Sequence, residues 1–305
     1  MAVATATKPN FTVARLFGST RTARFMFPIA LLALWQVIFM VMQTDILPSP
    51  AETLNFMWDE IRLETLSRHT LYQSFAISLG RLAIGFSIAL VAGIVVGLLM
   101  GLFKPVEDFL YDMVVVTLAI PSLIWGLMTG LLFGFGNLAP IVAVIGVAIP
   151  FVILNVLAGL KNSPKDLLDM SGSFTVPRSR TIRHVLIPSL MPFLFAALRY
   201  GFISGWHGLV LAEVFASSNG AGWTIRFWYD AHRAQGVLGY ALFFILFALF
   251  IERGVFEPIS RRVFRWRPSI RNLPVVEEAV PDPKKFKIAL AQAEDEATRG
   301  DDPDR

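Results

Sequence analysis

A polar segment interrupts the apolar sequence in the middle of the chain, and it reads 163-SPKDLLDMSGSFTVPRSRTIRHVLIP-188. Its first four residues are typical of a helix start. The side chain of Ser163 would cap the helix, and the side chain of Asp166, at the third helical position, would bond back to the N–H of Ser163. Asp169 and three arginines follow, and at Pro188 the chain becomes apolar again. A short helical elbow between apolar stretches predicts a surface at the membrane face that a soluble partner can contact.

The composition of the 305-residue chain is typical of a membrane-embedded protein. Hydrophobic residues make up 55% of it and charged residues only 16%, and the mean hydropathy is +0.59. A soluble domain carries about 25% charged residues. The absence of cysteine excludes disulfides, cysteine-based zinc sites and thiol nucleophiles. The net charge of +4 is small and uneven, so it indicates membrane topology and no nucleic-acid partner.

Charge-free stretches predict six membrane spans of about 20 residues each, which is the length needed to cross a bilayer. The longest such stretch, residues 113–160, is interrupted by Gly-Phe-Gly at residues 134–136 and therefore predicts a helical hairpin. The predicted spans are 25–44, 82–103, 113–133, 139–160, 188–214 and 234–251. They form a domain over 25–266, with a loop at 161–187, a segment 1–24 before it and a disordered tail at 267–305.

Lysine and arginine indicate the orientation of the spans. They are concentrated before the first span, in the 161–187 loop and after the last span, whereas the segment after the first span is acidic. With six spans, both termini and the loop are therefore cytoplasmic. The first apolar run is too long for the core of a signal peptide, so we interpret it as a retained span. Leu54, Met57, Trp58 and Ile61 recur at helical spacing and predict an amphipathic helix on the outer face.

Two sets of glycines at four-residue spacing predict close helix packing, because this spacing removes side chains from one helix face. This packing either surrounds a translocation path or is the general packing of membrane helices. Pro121 and Pro150 fall inside predicted spans and should kink them. The glycines are Gly93, Gly97 and Gly101 in the second span, and Gly126, Gly130 and Gly134 in and just after the third.

The fifth predicted span contains three ionisable side chains, those of Arg199, His207 and Glu213. Fourteen positions separate Arg199 from Glu213, so these two lie on nearly the same helix face, and His207 lies off it. Ionisable residues inside a span usually face the bundle interior or a wet cavity. The alternative is that Arg199 and Glu213 lie at the two ends of the span and reach the membrane surfaces.

Sequence signatures of several enzyme classes are missing. The chain has no Gly-x-x-x-x-Gly-Lys-Ser/Thr loop for phosphate, no His-Glu-x-x-His and no Gly-x-Ser-x-Gly. It is therefore not an ATPase itself, and we expect neither catalytic residues nor a bound cofactor or metal in this chain.

The polar segment resembles the cytoplasmic coupling loop of the permease subunits of binding-protein-dependent ABC importers. The family pattern is Glu-Ala-Ala, three residues, Gly, nine residues, then Ile-x-Leu-Pro. Thr175 falls at the glycine of the pattern, and the neighbouring Gly172 is the residue that could supply the turn instead. Alignment on Pro188 places Asp169 at the Glu, Met170 and Ser171 at the two Ala, and Val185 and Ile187 at the Ile and Leu.

Other segments between about residues 29 and 266 resemble the nitrate, sulfonate and taurine branch of this family. They are Leu47–Pro50, Ser78–Arg81, Ala119–Pro121, Leu209–Glu213 and Ser218–Trp223.

The resemblance implies a six-span, all-α type I permease in the inner membrane, paired with a second copy. Two soluble ATPase subunits would bind ATP and Mg below it, and a substrate-binding protein would dock above. Asp169 would face a basic or amide group of the ATPase. The substrate would be a small anion such as nitrate, a sulfonate or taurine, although the branch also handles pyrimidines, riboflavin and aromatic acids. The path and its gate would involve Pro121, Arg199, His207, Glu213 and Trp223.

Two other functions remain open on the residues alone. A secondary transporter would be expected to show inverted repeats and broken helices. The sequence shows no convincing internal repeat, and the charged 161–187 loop has no counterpart in the other cytoplasmic loop, Lys104 to Asp108. A membrane scaffold or assembly protein would also suit packing glycines and a docking loop.

Overall fold

The computed structural model describes residues 20–42 and 47–264. The predicted tail at 267–305 and most of the predicted segment 1–24 lie outside these residues. Within them every regular element is helical. The helices are α1 Thr20–Met42, α2 Pro50–Ile61, α3 Leu71–Leu102, α4 Lys104–Ala119, α5 Ser122–Phe133, α6 Leu138–Lys161, α7 Lys165–Ser173, α8 Arg178–Thr181, α9 Ile187–Ala216, α10 Ala221–Asp230, α11 Ala234–Ile251 and α12 Glu257–Val263.

Two π-helical turns, Ile182–Leu186 and Glu252–Phe256, precede α9 and α12. Among the described residues, four helical stretches are long and apolar enough to cross a membrane, or five if α4 and α5 together form one bent span. In α1 the apolar part is the shorter stretch Pro28–Met42. The four stretches are Leu71–Leu102, Leu138–Lys161, Arg178–Ala216 and Ala234–Val263.

Helix α3 begins eleven residues before the predicted second span. Thr70 and Gln73 form a capping box at its start, which satisfies two backbone N–H groups there. The charge rule placed the span after Arg81, but Ser74, Ser78 and Arg81 are all buried in α3. These polar side chains have partners within the protein, so they do not end the helix.

The predicted span 113–133 is not one helix, because α4 and α5 meet at an angle of 96°. Pro121 causes the break, since proline has no N–H to donate and forces the residue before it out of the helical region. Ile120 accordingly has an extended backbone, with ψ of 119°. Helix α5 then ends at Gly134 (φ +71°), and α6 starts at Leu138, as the predicted hairpin requires.

The polar segment folds into α7, α8 and the first π-helical turn. Ser163 does not cap α7, contrary to the prediction, because the N-cap position is occupied by Pro164. The Ser163 hydroxyl instead donates to the carbonyl of Gly159, at 3.1 Å, one turn back in α6.

Helix α6 forms the centre of the bundle and is packed between α3 and α9. Val144, Val152 and Val156 of α6 are fully buried. Val144 packs with Leu82 of α3 and Leu209 of α9 in one apolar cluster, and Val152 and Val156 pack with Ala197 of α9 in a second. These clusters fix the relative positions of the helices that carry the polar residues described next.

Candidate functional site

A buried ion pair joins α3 to α9. Nη1 of Arg81 lies 2.7 Å from Oε1 of Glu213, and the two side chains are 4% and 0% exposed. Ser78 donates its hydroxyl to Oε2 of Glu213 at 2.6 Å, and the backbone N–H of Gly222 donates to the same oxygen at 3.0 Å. Since a buried carboxylate is stable only when paired and hydrogen-bonded, these donors explain how Glu213 is held inside the protein.

The other donors of Arg81 reach two separate loops. Nε and Nη2 both donate to Oδ1 of Asn137, at 3.1 and 2.5 Å, in the turn between α5 and α6. Nη1 donates to the carbonyl of Asn219 at 3.0 Å, and Nη2 to the side chain of the same residue. We call the residues Ser78, Arg81, Asn137, Glu213, Asn219 and Gly222 the Arg81 network. It ties α3, α9 and two loops together at one end of the bundle.

The loop between α9 and α10 needs its two glycines for this contact. Gly220 has φ of +102°, and a Cβ there would overlap the carboxylate of Glu213. A Cβ on Gly222 would lie 2.6 Å from the carbonyl of Val210. Ala221 between them donates its N–H to Ser78 at 2.8 Å. The glycines thus let the backbone come close enough to donate hydrogen bonds.

Three of the segments singled out in the sequence therefore meet in space, namely 78–81, 209–213 and 218–223. Asn137 was missed as a functional residue, although an asparagine after a glycine-rich break is a signal for a turn with a specific hydrogen bond. Glu213, which the resemblance assigned to the path and its gate, is fully buried inside the Arg81 network. Trp223 is half-buried and packs near His69, with 6.3 Å between ring centroids.

Helix α7 presents an exposed surface. Asp169 is exposed, and Met170 and Phe174 are 54% and 72% exposed. Ser171 is half-buried and accepts a hydrogen bond from the hydroxyl of Thr181 at 3.2 Å, which ties α7 to α8.

Thr175 ends α7 in a left-handed conformation with φ of +50°. Its N–H donates to the carbonyl of Gly172 at 3.0 Å, and that of Val176 to the carbonyl of Ser171 at 2.9 Å. These two bonds form a Schellman motif, whose left-handed position is usually glycine. The turn therefore lies at the position of the glycine in the coupling-loop pattern, and Gly172, inside α7, does not supply it.

The end of the polar segment leads directly into α9. Val185 lies in the π-helical turn, and Ile187 and Pro188 are the first residues of α9. At the base of the segment, Lys161 of α6 forms an ion pair with Glu107 of α4, which Lys104 also contacts at 3.4 Å. The spacing of charges in the sequence did not predict this cluster, because its partners are 54 positions apart.

A cleft of about 240 Å³ lies at the break between α4 and α5. It brings together Pro121 and His207, two of the predicted path residues. Arg199 is not among the residues that line it, and Glu213 belongs to the Arg81 network, so the predicted path residues do not form one site. The lining residues are Thr117, Leu118, Ala119, Ile120, Pro121, Ser122, Val147, Phe151, Ser204 and His207.

Five of the six singled-out glycines lie against a neighbouring helix. A Cβ on Gly93 would lie 2.7 Å from Val152 of α6, and one on Gly97 would lie 2.8 Å from Val156. Gly101 faces Leu160 of α6, and Gly126 and Gly130 face Ala212 and Ala216 of α9. Gly134 does not pack in this way, because no atom lies within 4 Å of a Cβ built there, and it serves instead as the left-handed end of α5.

The described residues contain no group of three or more histidine, aspartate or glutamate side chains placed to hold a metal ion.

Known proteins with similar sequences are transport permeases. The chain is 30% identical over 210 residues to the nitrate import permease protein NrtB of Synechococcus elongatus. This match covers 67% of this chain and 74% of that protein. It is 25% identical over 225 residues to the taurine transport system permease protein TauC of Escherichia coli, covering 74% and 82%. Among solved structures, inward-facing forms of the MetNI methionine ABC transporter share the fold, with a TM-score of 0.56 and 20% identity. That match covers 63% of this chain and 95% of the other.

The family model of the binding-protein-dependent transport system inner membrane component matches residues 74–256. This range is more than half of the chain, and it includes α9, the 161–187 loop and every member of the Arg81 network. The all-α architecture agrees with it. The chain therefore belongs to this family and is an inner-membrane permease subunit of a binding-protein-dependent ABC importer.

Proposed function

We propose that this permease subunit imports a small solute with an anionic oxygen-rich group, such as nitrate, a sulfonate or the zwitterionic sulfonate taurine. The proposal is supported by the similar proteins NrtB and TauC, whose names assign nitrate and taurine to them. A binding protein would deliver the anion to the outer face. Path residues would include Pro121, Arg199 and His207, with Glu213 and Trp223 at the outer end.

In the proposed assembly, two copies of the chain form the path and two ATPase subunits bind ATP and Mg on the cytoplasmic side. Both termini and the 161–187 loop would face the cytoplasm, because lysine and arginine are concentrated there. Transport would be powered by the ATPases and not by this chain.

The observation that carries the coupling proposal is the exposed face of α7. Asp169 and Met170 lie at the positions of the coupling-loop pattern, and both are exposed. The Schellman motif at Thr175 ends α7 sharply, and the hydrogen bond from Thr181 to Ser171 holds it against α8. A short helix whose C-terminal end is held in this way can pass the closure of an ATPase dimer to α9, which begins at Ile187 and Pro188.

A charge reversal at Asp169 tests the coupling. In vesicles that contain the ATPase and the binding protein, Asp169→Lys should abolish transport and transport-coupled ATP hydrolysis without loss of membrane insertion. The matched control is Asp108→Lys, since Asp108 is also an exposed carboxylate, 62% exposed, and makes only a surface pair with Lys104 at 2.7 Å. Full transport by Asp169→Lys would contradict the proposal.

The substrate class is tested on the cognate binding protein. We expect a ligand screen to find nitrate or a sulfonate as the tightest ligand. A neutral or cationic ligand, with no binding of either anion, would contradict the anion assignment while leaving the role as a permease intact.

A further inference from the structure

We propose that the cleft at the break between α4 and α5 is an anion-binding station on the path, in which His207, Ser204 and Ser122 contact the oxygens of the passing anion. This inference rests on the proposed function, because it concerns how an anion permease would hold its substrate within the membrane.

The position of His207 is the first reason to assign an anion site to the cleft. It is exposed on α9, whereas its neighbours in the chain, Trp206 and Gly208, are buried in the bundle. An imidazole inside a membrane span is costly unless it faces a polar or wet cavity. His207 lines the cleft, so this wall carries an imidazole within a largely apolar helix.

Two serine hydroxyl groups in the cleft wall are the second reason. Ser204 precedes His207 by three residues, which places it on the same helix face, and it lines the same cleft. Ser122 lines it from α5. Both can donate a hydrogen bond to an oxyanion. The hydroxyl of Thr117 is used within α4, where it donates to the carbonyl of Met113 at 2.7 Å.

The break in the backbone between α4 and α5 is the third reason. A break at membrane depth is tolerated where it is enclosed by protein or lines a wet cavity, and this break lines the cleft. Helix α5 has no side chain capping its start. The N–H of Ile124 donates to the carbonyl of Pro121 at 2.9 Å, but the N–H groups of Ser122 and Leu123 precede the first such bond and add donors beside the Ser122 hydroxyl.

Size and charge favour a small anion over other solutes. The cleft volume of about 240 Å³ suits one small oxyanion with some water. None of the residues that line the cleft is acidic, so no side chain there brings a negative charge that would repel an anion. Val147 and Phe151 complete the wall with apolar surface, which strengthens hydrogen bonds to a partly desolvated anion.

Uptake measurements in vesicles with the ATPase and binding protein give the first test. His207→Ala should lower the maximal rate of nitrate or taurine uptake by roughly tenfold, the loss expected for a hydrogen bond to a charged group. The concentration of loaded binding protein at half-maximal rate should not change, because the outer docking surface is intact. Ser204→Ala should act in the same direction.

The matched control is Tyr200→Phe. Tyr200 is exposed on the same helix two turns before His207, but it does not line the cleft. The Tyr200→Phe variant should take up nitrate or taurine at the same rate as the unmodified chain. Normal maximal rates in the His207→Ala, Ser204→Ala double variant would overturn the anion station.

Protection from thiol labelling tests binding directly, without transport. Thr117→Cys places a single cysteine on the cleft wall of a chain with no native cysteine. In the purified complex, sodium nitrate should slow its labelling several-fold relative to sodium gluconate at equal ionic strength. In a chain that carries both Thr117→Cys and His207→Ala, nitrate should no longer slow the labelling.

The two experiments separate the two proposals. Anion uptake that is insensitive to His207, with no protection by nitrate, overturns the station and leaves the proposed function standing. Protection that depends on His207 in a complex without anion uptake overturns the proposed substrate class and leaves the station standing.

Discussion

The Arg81–Glu213 pair is the residue-scale feature with the largest expected effect on stability. Glu213→Gln keeps the shape of the side chain but removes the charge, so Arg81 remains buried without its counter-ion. Loss of one partner of a buried pair costs about 3–5 kcal/mol. We therefore expect the free energy of unfolding in detergent, measured by thermal or denaturant melts, to fall by about this amount.

An exposed ion pair provides the control for this change. Arg226 and Asp230 lie 3.5 Å apart, with side chains 43% and 63% exposed. Because exposed pairs contribute at most about 1 kcal/mol, Asp230→Asn should change the unfolding free energy little. Similar losses for both variants would show that the burial of Glu213 has no special role.

Thr175 allows a prediction of opposite sign. A left-handed conformation costs a residue with a Cβ about 1–2 kcal/mol, and glycine avoids this cost. Glycine also loses more backbone entropy on folding, about 0.5–1 kcal/mol. Thr175→Gly should therefore stabilise α7 by roughly 0.5–1 kcal/mol, seen as slower hydrogen exchange of the α7 amides.

Ser173→Gly is the control for Thr175, because Ser173 is the last helical residue of α7 and has a negative φ. There glycine brings its entropic cost and removes the hydrogen bond that the Ser173 hydroxyl donates to the carbonyl of Asp169 at 3.1 Å, so exchange should become faster. Slower exchange in both variants would show that the strain at Thr175 is not the cause.

At the scale of elements, the contact between α3 and α6 depends on the absence of side chains. Gly97→Ala would place a Cβ 2.8 Å from that of Val156 and 2.9 Å from the carbonyl of Ile153. Overpacking of this kind costs about 1–3 kcal/mol. We expect a lower melting temperature and reduced uptake. Gly80→Ala on the same helix, where nothing lies within 4 Å of the new Cβ, should not lower the melting temperature, because alanine favours the helix, and should leave uptake unchanged.

The sequence predicted most helices but misjudged where some begin. Uncharged stretches locate apolar helices well, which is why α6 and α9 lie close to their predicted positions. The start of α3 was missed because Arg81 counts as a charge in the sequence, while in the fold Glu213, 132 positions away, neutralises it. The break at Pro121 was expected only as a kink, since the angle between α4 and α5 depends on how each packs.

The candidate site was predictable in part for a similar reason. The segments around Ser78, Glu213 and Trp223 were recognised by resemblance, but nothing in the linear sequence indicates that they share hydrogen bonds. The left-handed turn at Thr175 was hidden because threonine is a poor signal for it. Long-range pairing and unfavourable local choices are set by tertiary packing, and periodicity does not report them.

At the scale of the whole molecule, the proposed topology predicts opposite labelling of two exposed positions. Tyr229 in α10 is 70% exposed and Met170 in α7 is 54% exposed. In sealed cells, a membrane-impermeant thiol reagent should label Tyr229→Cys from outside. It should label Met170→Cys only after the membrane is opened. The reverse pattern would overturn the orientation.

The length of α3 has a geometric consequence for the Arg81 network. Thirty-two residues make a rod of about 48 Å, whereas the hydrocarbon core of a bilayer is about 30 Å thick. If the end of the rod beside Lys104 stands at the cytoplasmic boundary, its first three turns rise about 18 Å above the lipid tails. Arg81 then sits near the level of the head groups, and the protein interior, not lipid, keeps water away from the ion pair. In that orientation the permease would carry a rim above the membrane, which a docking protein would push without deforming the bilayer.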